Sequence, residues 1–164
     1  MSAKLAVLAA LALGAAGQGA QAQPYEARET VTYEAAKQIV NTCEAMAKAK
    51  AWPIAIWVLD VGGEPVYFAA TKGVSTIGVR TAKLKAETAL LTGAPSEARA
   101  ANLATPVGQR STEALGLFPI AGGLPLMHDG KVIGAVGAGG GRPENGVSVD
   151  QLCAQAGIDA AFKK

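Results

Sequence analysis

Few residues of this chain combine the type and the position that chemistry requires, and His128 is the first of them. It is the only histidine among 164 residues, and it stands directly before Asp129-Gly130. A neutral imidazole ligates metals and exchanges protons near neutral pH, so His128 is the candidate metal ligand. The alternative is a solvated turn residue, since an Asp-Gly pair between apolar runs marks a tight hairpin. One histidine and two cysteines do not indicate a zinc site built from His and Cys clusters.

Basic residues form the second candidate set. Ammonium and guanidinium groups bind the carboxylates of anionic ligands, which makes Lys83, Lys85 and Arg142 candidate ligand-binding residues. The alternative for the lysines is a solvated helix face, and the one-turn spacing of Lys83 and Glu87 favours it. The wider group in the middle of the chain comprises Lys72, Arg80, Lys83 and Lys85.

The glycine-rich stretch Pro119–Gly141 contains a strand from which side chains are missing. The run Val132–Val136 is apolar on both faces, which indicates an inner strand covered on both sides. Gly134 and Gly137 remove side chains from it, so either a helix packs close or a flat shelf remains for a ligand. A dinucleotide site is not indicated, because the G-x-G-x-x-G pattern fails at Arg142. The sequence also lacks the G-x-S-x-G elbow of serine hydrolases.

The beginning of the chain predicts export. Lys4, the apolar run Leu5–Ala16 and Ala20-Gln21-Ala22 together match a secretory signal peptide, cleaved after residue 22. Residues 23–164 then form a single domain in the periplasm or outside the cell. The apolar run is too short to span a bilayer, and no later stretch is long enough, so stable membrane insertion is not expected. A near-neutral mature chain argues against nucleic acid as a partner.

Two cysteines, Cys43 and Cys153, lie on the apolar stripes of the first and last predicted helices. An exported protein with an even number of cysteines permits a disulfide between them. The alternative is a pair of small buried hydrophobic residues. The spacing is compatible with both the disulfide and the unpaired cysteines.

Hydrophobic periodicity and turn residues predict an α+β fold. Two hairpins imply an antiparallel sheet, and inner strands apolar on both faces imply helices on both sides, in a three-layer arrangement of profilin or PAS type. The first and last helices should pack together on one face. The predicted elements are a helix from Thr32 to near Lys50, strands 54–59 and 65–70, a helix from Ser75 or Thr76 to Leu91, a short helix 96–103, a loop 105–115, a short strand 117–120, strands 124–127 and 132–136, a loop 142–147 and a final helix from Ser148 or Asp150.

Five short motifs follow one another in a fixed order over about residues 30–162. They are DVGG at 60–63, KAETA at 85–89, GGLP at 122–125, which is followed by the pair Asp129-Gly130, then IGAVG at 133–137 and DQLCAQAG at 150–157. This ordered set resembles the GlcG/HbpS-like haem-binding family, also described as haem-degrading and related to the C-terminal domain of PduO. The resemblance implies a profilin-like fold, homo-oligomers and, for members such as HbpS, export and haem binding.

With this resemblance the candidate residues take specific roles. Haem is the expected ligand, with His128 as the iron ligand; Tyr67, Met127 and Cys153 are other possible donors. Lys83, Lys85 or Arg142 would hold the carboxylates, and the strand at Gly134 and Gly137, with Leu124 and Leu126, would receive the macrocycle. We expect a binder or sensor more than a turnover enzyme. The alternatives are an enzyme of the same fold acting on a small organic acid or a tetrapyrrole, and a structural accessory subunit of another exported protein.

Overall fold

A computed structural model describes residues 27–162, so the predicted signal peptide at residues 1–22 lies outside the described part. Within residues 27–162, four α-helices and one 3₁₀ helix accompany four strands. In chain order the elements are α1 (Tyr33–Ala49), β1 (Ala55–Asp60), β2 (Pro65–Ala70), α2 (Thr76–Thr92), the 3₁₀ helix (Ser96–Ala104), α3 (Pro106–Ala114), β3 (Gly123–His128), β4 (Lys131–Gly139) and α4 (Val149–Phe162).

The four strands form one antiparallel sheet in the order β2-β1-β4-β3. The two predicted hairpins are the outer pairs β1–β2 and β3–β4. A third antiparallel pairing joins β1 to β4, with Val58 opposite Val136. The strand β4 is therefore an inner strand, as its double-sided hydrophobicity predicts.

Helices cover both faces of the sheet, which confirms the predicted α+β three-layer fold. On one face α1 and α4 lie side by side over a core that includes Ile56, Val58 and Val136. An added side chain at Gly157 of α4 would come within 2.6 Å of the carbonyl oxygen of Ile39, so the two helices touch through backbone. On the other face α2 packs against the sheet, with Ala82, Ala86 and Ala89 buried.

The first helix shows how local sequence sets these elements. Thr32 adopts an extended backbone, and its hydroxyl oxygen accepts a hydrogen bond from the Ala35 amide. This cap provides an acceptor for one of the amides of the first turn that have no partner within the helix. The buried stripe of α1 has the spacing of one helix face and contains Ala36, Ile39, Val40, Cys43 and Ala47.

A disulfide joins that stripe to α4. Cys43 and Cys153 are bonded, with their Cα atoms 4.7 Å apart. Of the two alternatives left open by the sequence, the structure therefore shows the disulfide and not two unpaired cysteines. Both residues are fully buried, so the bond lies inside the core between the terminal helices.

Missing side chains on β4 allow α2 to approach closely. A Cβ atom at Gly137 would lie 2.1 Å from the carbonyl oxygen of Ala82 and 2.6 Å from the amide nitrogen of Ala86. At Gly134 it would lie 2.5 Å from the carbonyl oxygen of Leu59 on β1, so there the missing side chain leaves room for the neighbouring strand and not for α2. The structure thus favours the close-packing alternative, and the faces of these glycines form no shelf for a ligand. Leu124 and Leu126, the expected neighbours of that shelf, are buried core residues.

Replacement of Gly137 by alanine is expected to lower the free energy of unfolding by about 1–3 kcal/mol, the usual effect of overpacking a dense interior. Urea unfolding followed by circular dichroism would measure it. Gly62→Ala is a control, because its added Cβ would meet only the Asp60 side chain, at 3.2 Å and beyond. Equal unfolding midpoints for both variants would contradict the close contact between α2 and β4.

Two predictions for residues 105–120 are wrong. The predicted loop 105–115 contains helix α3, which begins with Pro106 and is capped by Thr105, whose hydroxyl oxygen accepts a hydrogen bond from Gly108 N. The predicted strand 117–120 is an irregular segment. Its Phe118 amide donates to Thr88 Oγ1 on α2, so a side chain takes the place of a neighbouring strand.

Candidate functional site

His128 lies at the end of β3, beside the hairpin turn, and its ring is held by a carboxylate. Its Nδ1 is 2.9 Å from Glu29 Oε2, and both side chains are more than half exposed. Lys131 Nζ lies 4.0 Å from the other oxygen of Glu29. The segment before α1 carries Glu29 there, because Val31 N donates to the Ile133 carbonyl at 2.8 Å.

This contact determines which ring nitrogen is available. The hydrogen bond from His128, followed by the charge of Lys131, lowers the pKa of Glu29 below its ordinary 4.5, so the carboxylate is ionised and accepts the Nδ1 proton. A neutral His128 then has its lone pair on Nε2. Nε2 makes no hydrogen bond within residues 27–162. A ring oriented by a carboxylate through one nitrogen and open at the other is the usual arrangement of a metal-ligating histidine.

The same carboxylate changes the proton affinity of the imidazole. The hydrogen bond to Glu29 raises the pKa of His128 above its ordinary 6.5, and the charges of Asp129 and Glu29 act in the same direction. The nearby Lys131 opposes them. The charged form of His128 is therefore retained to a higher pH than in an isolated imidazole.

A groove lies beside Glu29, the partner of His128, although His128 itself does not line it. One cavity of about 330 Å³ is lined by Arg28, Glu29, Val61, Lys131 and Val132. A second, of about 450 Å³, shares Val61 and Val132 and continues along α2 to Leu90 and Leu91. We call the two together the Val61 groove. It combines apolar side chains with two cations, Arg28 and Lys131, and two carboxylates, Glu29 and Glu87. Leu91 is among the most exposed apolar residues described.

A different cavity lies around Lys85. This Lys85 cleft has a volume of about 360 Å³ and its lining includes Thr81, Lys85, Phe118, Ile120, Ser148 and Asp150. Lys85 Nζ donates to Asp150 Oδ2 at 2.6 Å, and the two side chains are 5% and 8% exposed. The Gly141 amide donates to the other oxygen, Asp150 Oδ1, at 2.9 Å.

Glycines let the Lys85 side chain reach Asp150. Lys85 is on α2 and Asp150 is in the first turn of α4, on the other side of the sheet. A Cβ atom at Gly122 would lie 2.8 Å from Asp150 Cβ and 3.1 Å from Lys85 Cδ, and Gly122 has φ +124°, which favours glycine. The ion pair therefore closes around the start of β3, where the GGLP motif begins.

The structure separates the residues that the sequence analysis grouped together. Arg142, which is exposed, follows Gly141 at the Lys85 cleft, whereas His128 is beyond the opposite end of the nine-residue strand β4, roughly 25 Å away at the usual rise per residue. Lys83 is paired with Glu87 at 2.6 Å. It lines a third cavity of about 350 Å³ beside Trp57 and Arg80. None of Lys83, Lys85 and Arg142 lines the Val61 groove.

For several residues at these sites, nothing in the sequence indicated a functional role. Glu29 and Arg28 lie in a polar lead-in of the sequence, and only the folded chain brings them to His128. Asp150 was recognised as a helix start and not as the partner of Lys85. Among the other possible iron donors, Cys153 is excluded because it is in the disulfide. Tyr67 packs its ring edge-on against Tyr33, and Met127 is exposed next to His128.

Two further observations concern metal ions and membranes. Among the described residues, no three or more His, Cys, Asp or Glu side chains are grouped so that they could hold a metal ion by themselves. Within residues 27–162, no helix has both the length and the apolar character needed to cross a bilayer.

Comparisons with known proteins agree with the motif order. A family model described as "Haem degrading protein HbpS-like" matches residues 31–159. An uncharacterized 15.0 kDa protein of the dhaT-dhaS intergenic region of Citrobacter freundii is 32% identical over 133 residues, which cover 79% of this chain and 91% of that protein.

Solved structures share the fold. The Klebsiella pneumoniae protein ORFY is similar with a TM-score of 0.76 and 24% identity, covering 87% of this chain and 98% of that one. A complex of PduOC with haem is similar with a TM-score of 0.71 and 22% identity, covering 82% of this chain and 96% of that one. At these identities the likenesses establish the fold.

Proposed function

The chain belongs to the HbpS-like family of haem-degrading proteins, and we propose on that premise that it is an exported haem-binding protein. The similar PduOC structure is itself a haem complex, which supports haem as the ligand class. The observation on this chain that carries the proposal is the Glu29–His128 contact of 2.9 Å, which leaves an accessible imidazole nitrogen for iron. Haem would supply an iron centre whose absorption spectrum reports which protein group ligates it, and His128 would be that group.

The residues around His128 fit such a ligand. The Val61 groove offers Val61, Val132 and Leu91 as apolar contacts, and burial of a macrocycle there gains about 25 cal/mol per Å² before association costs. Arg28 and Lys131 line the groove and would bind the propionate carboxylates. These two cations take the role that the sequence analysis gave to Lys83, Lys85 and Arg142, none of which lines this groove.

We propose binding or sensing in preference to turnover, as one of several like subunits. The exposure of His128 supports binding, since a macrocycle there would stay in contact with solvent and would not be enclosed in a water-free cavity.

Export is supported by the disulfide, which persists in oxidising compartments. N-terminal sequencing of the mature protein should begin at Gln23. Exposed apolar residues, among them Ile77, Leu91, Val107 and Leu115, support self-association, which sedimentation would test.

Haemin titration tests the proposal. We expect a saturable Soret shift with one haem per chain. A linear, non-saturating change would contradict haem binding. Adding a reductant under air distinguishes the two roles, because a binder keeps its Soret band whereas a degrading enzyme loses it together with the macrocycle.

Haem ligation should depend on pH through His128. A protonated imidazole has no lone pair for iron, and protons compete with iron for Nε2, so the imidazole signature is lost at a pH below the raised pKa of the free His128 ring. Glu29→Gln removes the charge and the strong acceptor that raise this pKa, so the loss should move to lower pH in the variant. Parallel pH titrations of the visible bands would measure it. Identical midpoints for both proteins would contradict the Glu29 contribution.

A further inference from the structure

The Lys85 cleft has the features of a second ligand site, separate from the Val61 groove. Its floor is a pair of charged side chains that are more than nine-tenths buried, Lys85 and Asp150. Breaking such a pair is strongly destabilising, whereas replacing both partners by apolar residues of similar size is often neutral or stabilising. A buried pair is therefore weak evidence for a role in stability. Because both side chains line a cavity of about 360 Å³, a role in ligand binding is the alternative.

The hydrogen-bonding groups of the cleft show which charge it accepts. Each oxygen of Asp150 already accepts one bond, from Lys85 and from the Gly141 amide. The Lys85 ammonium can donate three hydrogen bonds, and within residues 27–162 it donates one. The Ser148 hydroxyl accepts from the Gln151 amide and donates to none of the described groups. Unused donors thus outnumber unused anionic acceptors at the floor.

Other charges around the cleft act in the same direction. Asp150 and Ser148 are at the N-terminal end of α4, where the helix favours negative charge. Arg142 is exposed and follows Gly141, which lines the cleft. Two nearby acidic side chains, Glu144 and Glu97, keep their negative charge while they accept from Trp52 Nε1 and Gln151 Nε2, but neither lines the cleft.

The walls limit the size and type of the ligand. Phe118, Ile120 and Pro143 give the cleft an apolar side, and its volume is near the lower end of the 300–1,000 Å³ that is usual for small-molecule sites. From the buried pair, the unused donors and these walls, we propose that the Lys85 cleft binds a small aliphatic carboxylic acid, with its carboxylate on Lys85 and Ser148 and its carbon chain against Phe118. This proposal is independent of haem binding at His128.

The experiment is a titration of the mature protein with lactate, propionate and succinate, followed by ¹H–¹⁵N correlation spectra. At least one acid should shift the amides of Ala121, Gly140 and Gly141 saturably, while lactamide, the uncharged analogue of lactate, should not. Absence of saturable shifts at these amides with all three acids would overturn the proposal. Equal binding of lactamide and lactate would overturn it as well.

Variants separate binding from folding. Lys85→Met/Asp150→Leu replaces both charges by apolar side chains, a change that is often neutral for stability, and circular dichroism would check that the variant is folded. We expect it to weaken binding roughly 10- to 100-fold, as for loss of a hydrogen bond to a charged group. Arg80→Gln, on the same helix and outside the cleft, should leave binding unchanged. Undiminished binding by the double variant would overturn the assignment, and its haemin titration should equal that of the wild type.

Discussion

Replacement of Asp150 by alanine is expected to lower the free energy of unfolding by about 3–5 kcal/mol, because it leaves a buried ammonium group without its counter-charge. The side chain of Lys85 is only 5% exposed, so the few water molecules that reach it through the cleft solvate its ammonium less well than the lost carboxylate. The Gly141 amide loses its acceptor in the same variant. Urea unfolding at neutral pH would measure the change as a lower midpoint at constant slope.

An exposed ion pair on the same helix gives the matched comparison. Lys83 and Glu87 are also 2.6 Å apart, but their side chains are 40% and 39% exposed. Glu87→Ala should therefore change the stability by less than about 1 kcal/mol. If Asp150→Ala were no more destabilising than Glu87→Ala, the burial assigned to the Lys85–Asp150 pair would be wrong.

Removal of the disulfide is the second change with a large expected effect. The bond joins residues separated by 110 positions, and the double variant Cys43→Ala/Cys153→Ala should lose about 4–5 kcal/mol, since the unfolded chain regains the entropy of a long open loop. The loss acts mainly through the unfolded state, so the spectrum of the folded variant should resemble that of the wild type. Denaturant unfolding of both proteins under non-reducing conditions would measure it.

Reductant provides the control for this prediction. In the presence of a thiol reductant the wild type should unfold near the midpoint of the double variant, and the double variant should not respond. Two free thiols in the non-reduced mature protein, detected by mass spectrometry, would contradict the bond itself.

The elements that could be predicted from the sequence are those with strong local signals. The apolar stripe of α1 and the cap at Thr32 predict a helix and its start. The Asp129-Gly130 turn predicts a hairpin and therefore an antiparallel sheet, and the two together indicate an α+β fold. Helix α3 was missed although Thr105-Pro106 is a good helix start, because its mostly polar sequence has no apolar periodicity. The segment 117–120 was misassigned because its partner is a single hydroxyl on α2.

The candidate sites could be predicted only in part, since they depend on contacts between distant residues. His128 was found from its residue type alone, but Glu29 is 99 positions away and only the folded chain joins them. Lys85 and Asp150 are 65 positions apart, and their contact depends on how closely the backbone passes at Gly122. A pattern of residue types identifies donors, but it does not show which of them share one end of the sheet.

The central claim is that His128, oriented by Glu29, ligates haem iron, and the visible spectrum of the ferric haem complex tests it most directly. The wild type should show bands of imidazole ligation, His128→Ala should lose them, and free imidazole added to His128→Ala should restore them; Arg142→Gln should match the wild type. A His128→Ala spectrum and haem affinity identical to those of the wild type, with no response to imidazole, would contradict the account.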